Sequence, residues 1–271
     1  MNTTQQQFSP KVMGILNITP DSFFASSRKQ TEKEIVEQTI RMLEEGADII
    51  DVGASSSRPG AAFVGEEEEV IRLHCGLRIL VHEAPHAVIS IDTFRADVAR
   101  ECVEKFGVSI INDISAGGLD EKMFDTIAQL GVTYSMMHMR GTPQTMMEYT
   151  NYNKLMPDIL YYFAEKIQRL NQKGVEDIWI DPGFGFSKTT EQNYTVLNHI
   201  DQLSVFGLPI LAGFSRKMMI REVLGVPPEE ALNGTTAINM FALTKGVNIL
   251  RVHDVKEAVQ AIQIYNQIRQ A

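Results

Sequence analysis

Val12-Met-Gly-Ile-Leu-Asn-Ile-Thr-Pro-Asp-Ser-Phe-Phe24 is the stretch of sequence from which the fold can be worked out. It begins as a short apolar run, which is typical of a β-strand buried on both faces. The run ends at an amide, Asn17, and after Ile18 come the turn-forming residues Thr19-Pro-Asp21. Because a buried amide without a partner is costly, an asparagine at a strand end indicates a specific role.

The same pattern, an apolar run that ends in a polar residue and leads into a helical segment, recurs along the whole chain. Seven further runs lie at residues 49–54, 88–93, 109–114, 133–138, 178–183, 209–214 and 248–253. Parallel strands buried on both faces read as continuous apolar runs, so eight strand–helix pairs predict an α/β fold, a (β/α)₈ TIM barrel. A doubly wound open sheet is the alternative, but it usually has fewer strands, and no glycine-rich dinucleotide fingerprint follows the first run.

The chain shows no internal repeat beyond this period, no low-complexity segment and no linker. We therefore expect a single barrel domain over residues 11–271, preceded by a polar, glutamine-rich tail over residues 1–10. The tail has neither the basic end nor the apolar core of a signal peptide, and no apolar run reaches the roughly 18 residues of a membrane span. Cys75 and Cys102 are far apart, belong to no CxxC pattern and fall in helix-like segments. We therefore expect buried reduced thiols and a cytoplasmic protein without membrane partners.

The overall charge is acidic. A formal net charge of −9 argues against a nucleic-acid-binding or anionic-membrane-binding surface, so an anionic ligand needs a local cluster of cations. The consecutive residues Glu66 to Glu69 suit the first turn of a helix, where the helix dipole favours negative charge. We predict a solvated first turn there rather than a metal site.

Polar residues end all eight units. They are Asn17, the Ser57-Arg58 loop, Asp92, Asn112, His138-Met139, Asp181, Ser215-Arg-Lys217, and Arg251 with His253. In a barrel the carboxyl ends of the strands meet at one mouth, where active sites lie. Any one of these residues can be a satisfied polar group that ties down a loop, but eight together predict a binding site.

The polar residues divide into two chemical groups. Asp92, Asn112 and Asp181 suit the edge of a flat, nitrogen-rich heterocycle, which needs several directional hydrogen bonds. The second group consists of cations and a potential cation: Arg58, Lys217, Arg251 and His253. The last two precede a helix, where backbone N–H groups favour anions. The pairing indicates a ring substrate that carries a phosphate or a diphosphate.

The order of these motifs resembles that of the dihydropteroate synthases. The matching stretches are Gly14-Ile-Leu-Asn-Ile-Thr-Pro-Asp-Ser-Phe23, Ser57-Arg-Pro-Gly60, Ile91-Asp-Thr93, Asn112-Asp-Ile114, Asp181-Pro-Gly-Phe-Gly-Phe186, Ser215-Arg-Lys217 and Arg251-Val-His-Asp254. The resemblance implies a TIM-barrel transferase of folate biosynthesis. Such an enzyme joins 6-hydroxymethyl-7,8-dihydropterin diphosphate to p-aminobenzoate and releases pyrophosphate and 7,8-dihydropteroate. The resemblance also suggests a homodimer.

The resemblance implies a ligand set for each substrate. The pterin is expected to contact Asp92, Asn112, Asp181, Lys217, Met139, Ile114, Ile15, Phe186 and Gly213. The diphosphate is expected to contact Asn17, Ser57, Arg58, Arg251 and His253. Phe23, Pro59, Phe186 and Ser215 are expected to form the p-aminobenzoate pocket. Mg²⁺ is expected near Asn17, since a diphosphate supplies most of its oxygen ligands.

We expect ionisation of the pterin substrate before attack by the amine. Lys217 and Arg251 stabilise the departing pyrophosphate, while Asp92 and Asp181 stabilise the positive charge in the ring. Two loops, at residues 19–27 and 55–65, are expected to close over the site and exclude water. In the first of these loops, Phe24-Ala-Ser-Ser27 departs from the acidic, glycine-rich sequence usual in the family.

Two other hypotheses fit the same barrel. A methyltetrahydrofolate-binding methyltransferase domain uses a similar pterin site but needs no diphosphate site, so Arg58, Arg251 and His253 argue against it. A non-catalytic pterin-binding paralogue is supported only by the altered first loop.

Overall fold

In the computed structural model, which describes residues 8–18, 28–55 and 64–271, eight strands alternate with helices. The strands are β1 (Lys11–Asn17), β2 (Ile49–Gly53), β3 (Val88–Asp92), β4 (Ile110–Asp113), β5 (Thr133–Met137), β6 (Ile178–Asp181), β7 (Leu211–Ala212) and β8 (Ile249–Val252). The helices are α1 (Arg28–Glu44), α2 (Glu66–Glu83), α3 (Ala96–Phe106), α4 (Met123–Leu130), α5 (Leu155–Gln172), α6 (Thr190–Asn198), α7 (Met218–Leu224), α8 (Leu232–Thr244) and α9 (Val255–Gln270).

The strands form a barrel rather than an open sheet. Neighbouring strands pair in parallel in the order β6-β5-β4-β3-β2-β1-β8-β7. An isolated parallel bridge joins Ile180 of β6 to Ile210, and the Ile180 N–H donates to the Pro209 carbonyl at 3.0 Å. This bridge links β6 to the segment that leads into β7 and so brings the sheet round on itself. The predicted (β/α)₈ barrel is confirmed.

Alternation along the strands places successive layers of side chains in the barrel interior. The lowest layer is an apolar cluster made of Met13, Ile49, Ile110, Trp179, Leu211 and Ile249. Two residues further along, the interior becomes polar, and Asp51 of β2 lies in register with Ser90 of β3. At the top of the strands Asp92 lies in register with Asn112. The apolar layer therefore closes the lower end, and the polar residues line the mouth.

The helices cover the outside of the barrel with their apolar faces. In α5 the buried positions include Ile159, Phe163 and Leu170, which are spaced so that they lie on one face of the helix. Across the part of the chain that the structure describes, no helix is both long and apolar enough to cross a bilayer.

The first turn of α2 differs from the prediction. Glu66 and Glu67 are exposed, but Glu69 is 2% exposed. Its carboxylate accepts a hydrogen bond from the Thr93 hydroxyl at 2.6 Å and pairs with Arg95. A buried carboxylate is tolerated because it has these partners. The expectation of a solvated turn is therefore wrong for Glu69, which instead fastens α2 to the segment after β3.

Candidate active site

The mouth of the barrel brings together the predicted residues of β1, β3 and β4. Asp92 and Asn112 are the last interior residues of adjacent strands, and Asn112 is 4% exposed. Asn17 ends β1 and is exposed. A Cβ atom placed on Gly53, between them, would lie 3.5 Å from Asn17 Oδ1 and 3.7 Å from Asp92 Cβ. The glycine thus leaves open the space between the asparagine and the acid.

Arg251 connects the cations to the strand-end acids, which the sequence analysis treated as two separate groups. It rises from β8, and its Nη2 donates to Asp92 Oδ2 at 2.7 Å. Its Nε donates to Asp51 Oδ2 at 2.6 Å. Although burial opposes the shift, the two carboxylates raise the pKa of Arg251 above its usual range. The guanidinium is therefore a permanent cation beside the predicted ring-binding acid.

Asp92 is a carboxylate with a raised pKa. Burial is the main cause that raises the pKa of Asp92 to about 6; Arg251 opposes this shift, and the nearby Asp51 and Asp113 add to it. Near neutral pH the side chain is therefore an anion in a site that exposes it little to water. Such an anion can accept N–H donors and stabilise positive charge on a bound ring.

Asp181 and Lys217 form the opposite side of the mouth. The Asp181 carboxylate accepts from the Gly183 N–H at 2.8 Å, and burial raises the pKa of Asp181. The ammonium group of Lys217 donates to the carbonyl of Phe184, which follows β6. Burial lowers the pKa of Lys217 to about 8, although Asp181 opposes the shift. The pair therefore places an acid and a titratable cation across the mouth from Asp92.

An apolar wall lies beside these charges. Ile114, Met139 and Phe186 belong to one buried cluster, together with Met137 and Met146. The Lys217 ammonium lies 5.1 Å from the centroid of the Phe186 ring. A flat ring can contact this wall while its edge meets the polar groups, as pockets for small molecules require.

Two further predicted residues adjoin the same interior. Ile15 is 6% exposed and lies in register with Asp51. Gly213 follows β7, and a Cβ atom added there would come within 3.9 Å of Lys217 Nζ. Both residues therefore lie next to the charged groups of the mouth.

Ser215 and His253 lie together on the rim. The hydroxyl of Ser215 accepts the His253 backbone N–H at 3.3 Å. Arg216, between Ser215 and Lys217, turns away and pairs with Asp254 at 2.7 Å. Its positive φ of 55° lets successive side chains of this loop point in different directions. This turn brings Lys217 to the mouth while Arg216 supports the loop.

The remaining predicted residues lie outside the described part of the chain. They are Phe23, Ser57, Arg58 and Pro59. The same holds for residues 19–27 and for 56–63 of the second predicted loop. On either side of residues 56–63, Arg72 donates to the Ala54 carbonyl at 2.9 Å, and Arg95 donates to the Val64 carbonyl at 2.7 Å.

Asp51 is the main residue that sequence reasoning missed. It lies within the apolar run of β2 and is fully buried. It accepts hydrogen bonds from Ser90 at 2.6 Å, from Asn112 at 3.1 Å and from Arg251 at 2.6 Å. The signal was present, because an aspartate two residues before the strand end must share the barrel interior with the strand-end residue.

Lys188 was also missed. It is 2% exposed, and its ammonium group contacts His138 Nδ1 at 3.0 Å and the carbonyls of Gly183 and Phe186 at 3.1 Å each. Burial lowers the pKa of Lys188 to about 7 and holds the pKa of His138 well below its usual range. The three contacts tie down the loop between Asp181 and Phe186. His138, which the sequence placed among the strand-end residues, therefore contacts Lys188 and supports this loop.

An acid and amide edge, an apolar wall and adjacent cations at the mouth of a (β/α)₈ barrel define a barrel protein with a site suited to a flat, polar heterocycle. The model of the family described as pterin binding enzyme matches residues 13–253. The dihydropteroate synthase of Escherichia coli strain K12 is 41% identical over 258 residues, which cover 94% of this chain and 90% of that protein.

Solved structures agree with these sequence comparisons. The Yersinia pestis dihydropteroate synthase with a sulfonamide drug complex is 38% identical, with a TM-score of 0.88 over 97% of this chain and 95% of that one. The Xanthomonas albilineans dihydropteroate synthase with 4-aminobenzoic acid is 35% identical, with a TM-score of 0.88 over 97% of this chain and 94% of that one. The chain belongs to the dihydropteroate synthases, the transferases of folate synthesis that form dihydropteroate. The first of the three hypotheses is thereby confirmed.

Proposed function

We propose that the mouth residues divide the substrate between them, with acids and an amide on the pterin and cations on the diphosphate. The observation that carries this proposal is the arrangement of Asp92, Asn112 and Asp181 around one interior, with Arg251 bonded to the first of them. Carboxylates only accept hydrogen bonds, so they suit the N–H edge of a pterin. The apolar wall formed by Ile114, Met139 and Phe186, together with Ile15 and Gly213, completes this pocket.

The charges on the two sides of the mouth suit an ionisation mechanism. As the bond from the exocyclic carbon to the diphosphate breaks, Arg251 and Lys217 stabilise the departing anion. Asp92 and Asp181 stabilise the positive charge that spreads into the ring. The amine of p-aminobenzoate then attacks the exocyclic carbon and loses a proton. Each carboxylate is already held by a donor, Arg251 Nη2 or the Gly183 N–H, so little reorganisation is needed.

The diphosphate and its metal are assigned to the rim. Asn17 and His253 are proposed to bind the diphosphate beside Arg251, and Ser57 and Arg58 are proposed to complete this set from outside the described residues. Among the described residues there is no cluster of three acids, histidines or cysteines that can hold a metal. An exposed asparagine oxygen fits Mg²⁺ that is bound mainly through substrate oxygens. Asn17 would hold the ion, which would neutralise charge on the diphosphate.

The p-aminobenzoate pocket is proposed to lie between Phe186 and Ser215. The Phe186 ring centroid lies 5.1 Å from the Lys217 ammonium, and Ser215 precedes Lys217 by two residues in the same loop. Phe23 and Pro59 are proposed to complete the pocket from outside the described residues.

We also propose a homodimer. Exposed apolar side chains lie on α7, α8 and the turn at residues 200–206: Val205, Val223, Leu224 and Phe241. Helices α7 and α8 adjoin one another, since a Cβ atom on Gly234 of α8 would lie 2.8 Å from Leu224. We propose that these exposed apolar side chains form the interface between two copies of the chain. Light scattering is expected to show a dimer for the parent chain and a monomer for Val223→Glu, and a monomeric parent at micromolar concentration would contradict the proposal.

The domain boundaries and the location remain part of the proposal. Residues 11–271 are proposed as one catalytic domain, with residues 1–10 as a polar tail. Cys102 is a buried thiol whose pKa burial raises to about 12, and such an inert thiol is compatible with a cytoplasmic location.

The assignment of roles is tested by turnover. Purified protein is incubated with dihydropterin diphosphate, p-aminobenzoate and Mg²⁺, and pyrophosphate release is followed together with dihydropteroate formation. The parent chain is expected to form both products in equal amounts. Asp92→Asn and Arg251→Lys are each expected to lose most of this turnover while keeping the fold. Unchanged turnover in both variants would contradict the proposed division of the site.

A further inference from the structure

Asp51 is a buried carboxylate beneath the site. It lies in the middle of β2, in register with Ile15 on one side and Ser90 on the other, and none of its surface is exposed. A carboxylate inside a barrel is strongly destabilising unless its partners are present. Its burial is compensated at both oxygens. Oδ1 accepts from Ser90, while Oδ2 accepts from Asn112 and Arg251.

This contact fixes which way the Asn112 amide points. Asp51 Oδ2 already accepts from Arg251 Nε, so it acts as an acceptor toward Asn112 as well. Asn112 therefore turns its NH₂ group toward Asp51, at an Nδ2–Oδ2 distance of 3.1 Å. With the NH₂ group held on this side, the amide oxygen of Asn112 is left to accept a hydrogen bond from a ligand. Arg251 is fixed in the same way, because its Nε is held by Asp51 and its Nη2 by Asp92.

We propose that Asp51 is a positioning residue that sets the hydrogen-bond polarity of the pterin pocket. By holding the Asn112 amide in one orientation, it makes Asn112 an acceptor, as Asp92 and Asp181 already are. The pocket then selects a heterocycle edge that carries N–H donors and rejects an edge on which a carbonyl replaces an amino group. This inference rests on the proposed pterin pocket.

The test compares two free heterocycles that differ at this edge. Pterin carries an amino group, and lumazine carries an oxo group in its place. In Asp51→Asn, the new amide can donate to Asn112 and allow its amide to turn over. Calorimetry is expected to show that pterin affinity falls about 10- to 100-fold, while lumazine affinity falls less or rises. Ser90→Ala removes one bond from Asp51 but leaves the Asn112 contact, and the pterin-to-lumazine ratio is expected to stay within about threefold of the parent.

A double variant separates orientation from general damage. In Asp51→Asn with Asn112→Asp, the residue at position 112 again presents an acceptor to the ligand, and the new amide at position 51 supplies the donor. The preference for pterin over lumazine is expected to return, although Arg251 has still lost one carboxylate partner. If Asp51→Asn alone does not fold, the double variant is used alone for the test, because it keeps one carboxylate and one amide at positions 51 and 112.

The outcomes distinguish this inference from the proposed pocket. An unchanged pterin-to-lumazine ratio in Asp51→Asn, or no preference for pterin in the double variant, overturns the role of Asp51. If Asp92→Asn still loses pterin affinity in the same titrations, the pocket itself stands. If Asp92→Asn binds pterin as the parent does, the pocket assignment fails first.

Discussion

Replacing Asp92 by asparagine is expected to weaken the binding of free pterin about 10- to 100-fold at mildly alkaline pH. In the structure the carboxylate accepts from Arg251 at 2.7 Å and has little contact with solvent. Asparagine keeps the shape but replaces one acceptor oxygen by a donor. A hydrogen bond to a charged group contributes about 1.5–3 kcal/mol, which corresponds to this range of affinity.

The pH dependence makes this prediction specific. Because the pKa of Asp92 is about 6, the acceptor anion is present above that pH and is lost as the pH falls through it. Pterin affinity of the parent chain is therefore expected to fall below pH 6, and that of Asp92→Asn to lack this transition. Calorimetric titrations from about pH 5 to about pH 8 measure both.

A matched control removes an acid of the same type from the surface. Asp125 lies on α4 with its side chain 63% exposed, and Asp125→Asn is expected to bind pterin as the parent does at every pH. If Asp92→Asn kept the parent's loss of affinity at acidic pH, another group would be responsible and the role given to Asp92 would be wrong.

Three further predictions concern the groups around the pocket. Since the pKa of Lys217 is about 8, turnover is expected to decline as the pH rises through that value. In Lys217→Arg the decline is expected to occur at a higher pH. A decline at the same pH in both proteins would show that another group is responsible. Lys188→Met leaves three acceptors without their donor, so it is expected to lower the free energy of unfolding in urea by about 2–4 kcal/mol. The control is Lys256→Met at an exposed position, for which the loss is expected to stay within about 0.5 kcal/mol. Asn17→Ala is expected to weaken Mg²⁺-dependent pyrophosphate binding without changing pterin binding, and an unaltered Mg²⁺ titration would remove Asn17 from the metal site.

The strands and the mouth were predictable because they follow from local patterns. A run such as Ile178-Trp-Ile-Asp181 is apolar until its last residue, so it indicates both a buried strand and a polar group at the carboxyl end. Such runs predicted the barrel and placed Asp92, Asn112 and Asp181 at its mouth. β7 was expected to be longer than Leu211–Ala212, because an apolar run does not show where strand pairing stops.

Contacts between distant residues were not predictable from the same patterns. Asp51 has partners 39, 61 and 200 residues away in sequence, and only the register of the barrel brings them together. From the sequence, Glu69 could not be distinguished from the three acids before it, because its partners Thr93 and Arg95 are distant in sequence. A lysine such as Lys188 is usually exposed, and its burial depends on carbonyls that the loop after β6 turns inward.

The division of the site between ring and diphosphate is tested most directly by crossed binding measurements. Free pterin and Mg²⁺-pyrophosphate are each titrated into Asp92→Asn and Arg251→Lys, with the parent chain as reference. We expect Asp92→Asn to lose pterin affinity about tenfold or more while its pyrophosphate affinity stays within about threefold, and Arg251→Lys to show the opposite pattern. Parallel losses of both ligands in both variants would contradict the division.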